Sequence, residues 1–296
     1  MPQLEVNGLK IEFDTFGAES EDAILLIMGL GTQMTAWSPE FCEALAGHGH
    51  HVIRFDNRDI GLSTKFEGAG SPSRLRYAAN HFLKVPLGAP YTLQEMASDA
   101  AGVLDALSIS SAHVVGASMG GMIAQLLAVH YPQRVKSLTS IMSSSGDPGL
   151  PRTRPDVLRH VFMNRPTAGG MNALLEHSVQ SMKMIASPGF PRSEQEWRVL
   201  LSASMARSFY PQGFQRQLAA VVSDGSRVER LKKISRPTLV IHGKEDPLVP
   251  VECGVDTARH IPGAKLEIIE GMGHDIPPQL IDKLTNLIAS HARDSA

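Results

Sequence analysis

Short runs rich in Val, Ile and Leu alternate with helical patterns over most of the chain. The runs at 23–29, 51–56, 112–118, 137–142, 238–243 and 265–271 mostly lack the period of two that marks a half-exposed strand. Strands covered on both faces of a mainly parallel sheet read this way. Between 92 and 107, Leu93, Met96, Ala97, Ala100, Leu104 and Leu107 recur at helical spacing, and Thr92 with Glu95 forms a capping box. A second helix carries Met122, Ile123, Leu126 and Leu127 after Ser118 and has to stop before Pro132. Such alternation predicts right-handed crossovers and an α/β, mostly parallel, doubly wound sheet. Near the N-terminus, Asn7-Gly8 between two alternating runs predicts an antiparallel hairpin.

Two stretches break this rhythm. From 143 to 226 no buried strand is evident, and Phe162, Met163, Met171, Met182, Met184, Phe190, Trp197, Met205, Phe209 and Phe214 punctuate helix-like pieces. This stretch is expected to be a helical cap inserted into a core domain made of 1–142 and 227–296. The second stretch, 66–91, is a long connection with a short helix expected around "RLRYAANHFLK".

Composition narrows the function classes. The 296 residues suffice for one large α/β domain with an insertion, and 43% hydrophobic with 20% charged residues is ordinary for a globular protein. A formal net charge of −2 offers no basic field for nucleic acid. Cys42 and Cys253 have no paired spacing, which argues for a reducing compartment, no disulfide framework and no metal site built on them. The opening "MPQLEVNGLKIEF" lacks a secretory pattern, and no apolar stretch approaches the roughly 20 residues that span a bilayer. A cytoplasmic protein is expected, monomeric or a small homo-oligomer, with a small-molecule partner and no membrane.

Candidate chemistry lies where strand gives way to helix. In "HVVGASMGG", Ser118 sits between Gly116 and Gly120 at a strand end that opens a helix. A turn that sharp strains the serine and lifts its hydroxyl above the sheet, and side chains at the glycines would collide with neighbouring backbone. The helix N-terminus adds unpaired N–H groups where an oxyanion would form. A serine hydroxyl needs a base, and the base an orienting group. Asp246, in "TLVIHGKEDPLVP", and His274, in "LEIIEGMGHDIP", follow later strands in the order such a site requires. Glu245 and Asp275 adjoin them as alternative acids or plain surface carboxylates. Oxyanion donors are expected from the backbone N–H groups of Leu30, in the Gly-rich turn "MGLGTQ", and Met119. Met28, Met142, Phe162, Met182 and Phe209 are candidates for an apolar substrate pocket.

With these features the sequence resembles the α/β-hydrolase superfamily over nearly its whole length. "DNRDIGLS" at 56–63 is similar to a stretch common there, with Asp59 where Gly is usual, and Met28 stands where many members have a His. Those departures, with "IEGMGH", resemble a serine esterase-like subgroup that includes aclacinomycin methylesterase. The resemblance implies Ser118 as nucleophile, Asp246 as orienting acid, His274 as base, backbone donors at Leu30 and Met119, and hydrolysis of a carboxylic ester; that mechanism calls for no metal or organic cofactor. Perhydrolases, carbon–carbon bond hydrolases and proline iminopeptidases share such a triad, and the fold also serves slow-turnover receptors. Haloalkane dehalogenases and epoxide hydrolases use an Asp nucleophile, which Ser118 argues against.

Two further clusters have plainer readings. His48, His50 and His51 in "GHGHH" lack a carboxylate or cysteine at ligand spacing and are read as a solvated loop. Arg74, Arg76, His81 and Lys84 are read as a solvated helix face.

Overall fold

The computed structural model describes the chain except Met1, Ser20, Glu21, Lys84, Arg165, Thr167, Ala168, Ala296 and the side chains of Arg74 and His81. The N-terminal hairpin comes first, with β1 (Gln3–Val6) and β2 (Leu9–Phe16) antiparallel. Asn7 and Gly8, with φ of 52° and 76°, supply the paired left-handed residues that a two-residue hairpin turn demands. Then follow β3 (Ala23–Ile27), α1 (Pro39–Gly47), β4 (His51–Phe55), α2 (Arg74–Leu83), α3 (Leu93–Ala106), β5 (Ala112–Ala117), α4 (Met119–His130) and β6 (Val135–Ile141).

The next stretch is helical: α5 (Pro155–Leu158) running into a π-helical turn (Arg159–Met163), α6 (Gly170–Ile185), α7 (Glu194–Arg207), α8 (Pro211–Asp224) and the short α9 (Val228–Leu231). The chain closes with β7 (Thr238–Gly243), α10 (Val251–His260), β8 (Lys265–Ile269) and α11 (Ile281–Arg293). The six apolar runs named above thus become β3 to β8.

The eight strands form one sheet in the order β1-β2-β4-β3-β5-β6-β7-β8. Strands β3 to β8 are parallel, and β2 joins β4 antiparallel. In β3, Leu25 and Ile27 face one hydrophobic cluster with α3 and α4, while Ile24 and Leu26 face another with Phe41, Leu45, Leu284 and Ile288 of α1 and α11. Burial on both faces is why the strand lacks a period of two.

From β3 the chain steps to β4 on one side, then crosses to β5 on the other. The carboxyl ends of β3 and β5 therefore flank a topological switch point, where α/β sheets open a crevice for ligands. Gly29 and Leu30 follow β3, and Ser118 follows β5.

The histidine cluster departs from the solvated-loop reading. His48 is exposed, but His50 and His51 are 2% and 6% exposed. His51 opens β4, and His50 turns inward, its Nδ1 2.9 Å from Asp22 Oδ2 and its ring 6.0 Å from that of His113. No group of metal-ligating side chains occurs among the described residues. Of the basic residues at 74–84, Arg76 is exposed and its Nε donates to the Pro86 carbonyl. Lys84 and the side chains of Arg74 and His81 lie outside the described residues.

Candidate active site

The elbow at Ser118 is built from backbone proximity. Ser118 has φ 55° and ψ −119°, a region a side chain rarely occupies. A Cβ on Gly116 would overlap the Gly120 carbonyl, and one on Gly120 would overlap the Ile27 carbonyl. Strand, turn and helix pack so closely that only glycine fits on either side. Ser118 N–H donates to Ile141 O at 2.9 Å, and its carbonyl accepts from Ser143 Oγ at 2.8 Å. The hydroxyl is thus held above the ends of β5 and β6, at the N-terminus of α4.

His274 meets it from the loop after β8. Its Nε2 lies 3.1 Å from Ser118 Oγ, and its Nδ1 lies 2.6 Å from Asp246 Oδ2. The sequence separations of 156 and 28 residues close because β5, β7 and β8 end on the same side of a parallel sheet. Asp246 Oδ1 accepts from the Leu248 and Val249 N–H groups at 2.9 and 2.8 Å. Burial pushes this carboxyl upward, but the charge of His274 and hydrogen bonds from His242 and His274 outweigh it and hold the group down at about 2. Asp246 therefore stays an anion beside the imidazole.

The neighbouring acids are occupied elsewhere. Glu245 Oε2 accepts from Gly271 N–H at 2.6 Å, and Asp275 Oδ1 accepts from Ser187 N–H and Oγ–H at 2.8 and 2.5 Å. Burial raises the Asp275 carboxyl above its ordinary range. Neither contact involves the His274 ring.

The Gly-rich turn after β3 lies against the elbow. A Cβ on Gly29 would sit 3.1 Å from Ser118 Cβ, so Leu30, the next residue, shares that neighbourhood with Met119, the first residue of α4. Met28 and Met142 are buried together in one hydrophobic cluster with Ala117 and Ile141. Phe162 is half-buried, its ring centroid 6.1 Å from that of Phe214, whose ring overlaps the place a Cβ on Gly31 would take. Met182 is half-buried in α6, whereas Phe209 is 37% exposed.

The contacts of several residues around the site were not evident from the sequence. His242 is buried, its Nε2 2.8 Å from the Val249 carbonyl and 3.5 Å from Asp246 Oδ2. Asp56 accepts from Met34 N–H at 2.8 Å, from Leu62 N–H at 2.9 Å and from Arg207 at 2.7 Å. Asp59 adopts φ 71°, which explains why glycine is usual there, and its carboxylate takes Arg216 Nε and Nη2 at 2.8 and 2.9 Å. For Asp56 and Asp59 the motif was a signal. Phe214 was marked only as one of the aromatics of 143–226, and Gln217 and Arg216 had no signal, because a polar residue in an amphipathic helix reads as an exposed one.

A family model described as the alpha/beta hydrolase fold matches residues 22–278. Rhodomycin D methylesterase DauP of Streptomyces sp. (strain C5) is 32% identical, over 94% of this chain and 93% of that protein. A 2-hydroxy-6-oxononadienedioate/2-hydroxy-6-oxononatrienedioate hydrolase of Burkholderia vietnamiensis is 28% identical over 90% and 85%. The solved meta-cleavage product hydrolase CumD of Pseudomonas fluorescens IP01 superposes with a TM-score of 0.79 at 20% identity, covering 100% and 98% of the two chains.

Proposed function

This chain belongs to the α/β-hydrolase fold family, and we propose that within it the protein is a serine hydrolase of carboxylic esters. The observation that carries the reading is the position of His274, hydrogen-bonded to Ser118 on one ring nitrogen and to Asp246 on the other. As Ser118 Oγ attacks the ester carbonyl, His274 Nε2 takes its proton while Asp246 holds the ring and balances the new cation. The carbonyl oxygen becomes an oxyanion facing the N–H groups of Leu30 and Met119, each worth roughly 3 kcal/mol in the transition state. His274 returns the proton to the leaving alcohol, and water activated by the same nitrogen hydrolyses the acyl-enzyme.

The helical segment 143–226 acts as a cap over the site, its paired Phe162 and Phe214, with Phe214 against Gly31, and the core residues Met28 and Met142 supplying the apolar surface for the acyl group. Similarity to a methylesterase over nearly the whole chain supports a small leaving alcohol. Initial rates on short p-nitrophenyl esters test the reading. The wild type turns over repeatedly, and Ser118→Ala loses at least about a thousandfold in kcat/KM. Equal rates for both proteins would refute it.

A second reading is hydrolysis of a carbon–carbon bond beside a carbonyl, supported by 28% identity to the dienedioate hydrolase. It predicts faster turnover of a 2-hydroxy-6-oxo dienedioate, the kind of compound that relative is named for, than of any short ester.

A further inference from the structure

Gln217 lies in the middle of α8 with no exposed surface. Its side-chain amide bridges two loops of the core: Oε1 accepts from Gly31 N–H at 2.8 Å, and Nε2 donates to the Arg58 carbonyl at 2.9 Å. A backbone N–H can only donate and a carbonyl can only accept, so these partners determine which end of the amide is which. The other side of the same turn is held by Asn57, whose Nδ2 donates to the Met28 carbonyl at 2.9 Å. Leu30 therefore sits on a short span clamped at Met28 by one amide and at Gly31 by another.

Besides these two amides, Thr32 Oγ1 donates to the Leu30 carbonyl at 3.2 Å. Gly31 is left-handed at φ 69°, and Thr32 N–H closes the turn on the Gly29 carbonyl at 3.3 Å. Two glycines in four residues leave such a loop free to reorient its peptides. An oxyanion donor lowers the barrier only if it is already aimed where charge will develop. The helix that carries Gln217 is itself anchored, through Arg216 to the buried Asp59 and by Gly213, where a Cβ would overlap the Asp59 carbonyl.

Resting on the serine-hydrolase reading, we propose that Gln217 is a positioning residue that holds the Gly31 peptide so that the Leu30 N–H faces the substrate oxyanion. The oxyanion hole is then completed by the helical segment 143–226, which cannot swing away from the site as a separable lid during turnover.

Gln217→Met keeps the volume and removes both hydrogen bonds. Its kcat is expected to fall about 10- to 100-fold on p-nitrophenyl acetate and on longer esters alike, with KM within about twofold of wild type. Trifluoromethyl ketones form an oxyanion on the serine, so their Ki should rise by the same factor as kcat falls. A residue that merely packs α8 would instead raise KM for long esters and leave the Ki of a small ketone unchanged, and that result overturns the proposal. If circular dichroism shows that Gln217→Met does not fold, Gln217→Glu carries the test. A buried glutamic acid mimics the amide while neutral and ionises at a raised pKa. The ketone Ki of Gln217→Glu relative to wild type should then climb from pH 6 to pH 10, and a flat ratio overturns the proposal. Wild type inert toward esters would sink the ester-hydrolase reading itself. Activity lost in Ser118→Ala but retained in Gln217→Met sinks only the role of Gln217.

Discussion

At the scale of single residues, the balance between burial and the groups that face a side chain decides which titratable groups carry charge. Asp246 remains an anion because it accepts two backbone N–H groups and faces two imidazoles. His113, near the start of β5, has the opposite fate. Burial outweighs the attraction of Asp22 and pulls its pKa from 6.5 down to about 4. Asp22, Lys136 and His50 face it, and Ser137 Oγ lies 2.8 Å from its Nδ1. A histidine kept neutral in the fold but protonated when unfolded costs stability as pH falls from about 6.5 to about 4, by about 3 kcal/mol across that window, and adds nothing above it. His113→Asn should therefore flatten the fall of the denaturation midpoint between pH 7 and pH 4. An unchanged slope in urea titrations would show that other groups dominate.

The unit of function at the scale of elements is strand, elbow and helix. β5 and α4 meet so closely that the Gly120 Cα faces the carbonyl of Ile27 on the neighbouring β3. The two strands whose ends form the crevice are thus joined through this glycine. Gly120→Ala forces backbone apart on both sides. We expect it to lower the unfolding free energy by about 3 kcal/mol, at the upper end of overpacking costs, and to reduce activity more than that loss explains. Guanidinium denaturation beside ester kinetics checks both parts. The elements themselves were legible in the sequence. Thr92 and Glu95 form the capping box at the start of α3, and the chain leaves α4 at Tyr131, just before Pro132. Local hydrogen bonds and proline sterics act within a few residues, so the local sequence carries them. The turn of β3 into Gly29 was legible too, but not what holds it.

Over the whole molecule, the helices between β6 and β7 are tied to the core by buried polar contacts. Arg216 meets Asp59, Arg207 meets Asp56 and Gln33, and Gln217 meets Gly31 and Arg58. Ser187 likewise binds Asp275 and accepts from Gly273 N–H at 2.9 Å, next to His274. Among these the Asp59–Arg216 pair is fully buried, with Tyr91 Oη donating to the same carboxylate at 2.7 Å. Removing one partner strands the other, so Arg216→Met should cost about 3–5 kcal/mol in urea denaturation. The double variant Asp59→Asn/Arg216→Met should recover part of that loss, and a double variant no more stable than the single would contradict this account.

What the sequence determined by itself were the properties that short-range physics encodes. Apolar runs without alternation specified a sheet buried on both faces. Glycines around Ser118 specified a tight elbow, and the order Ser118, Asp246, His274 matched strand ends of a parallel sheet. The tertiary structure decided the rest, because it depends on contacts between residues far apart in the chain. His50 and His51 are buried rather than solvated because the start of β4 lies beside Asp22 and His113. Gln217 is buried across 186 residues from Gly31, and a lone polar position in an amphipathic helix carries no mark of such a partner. Hydrogen-bond complementarity at that range has no local signature, and only the folded chain brings donor and acceptor together.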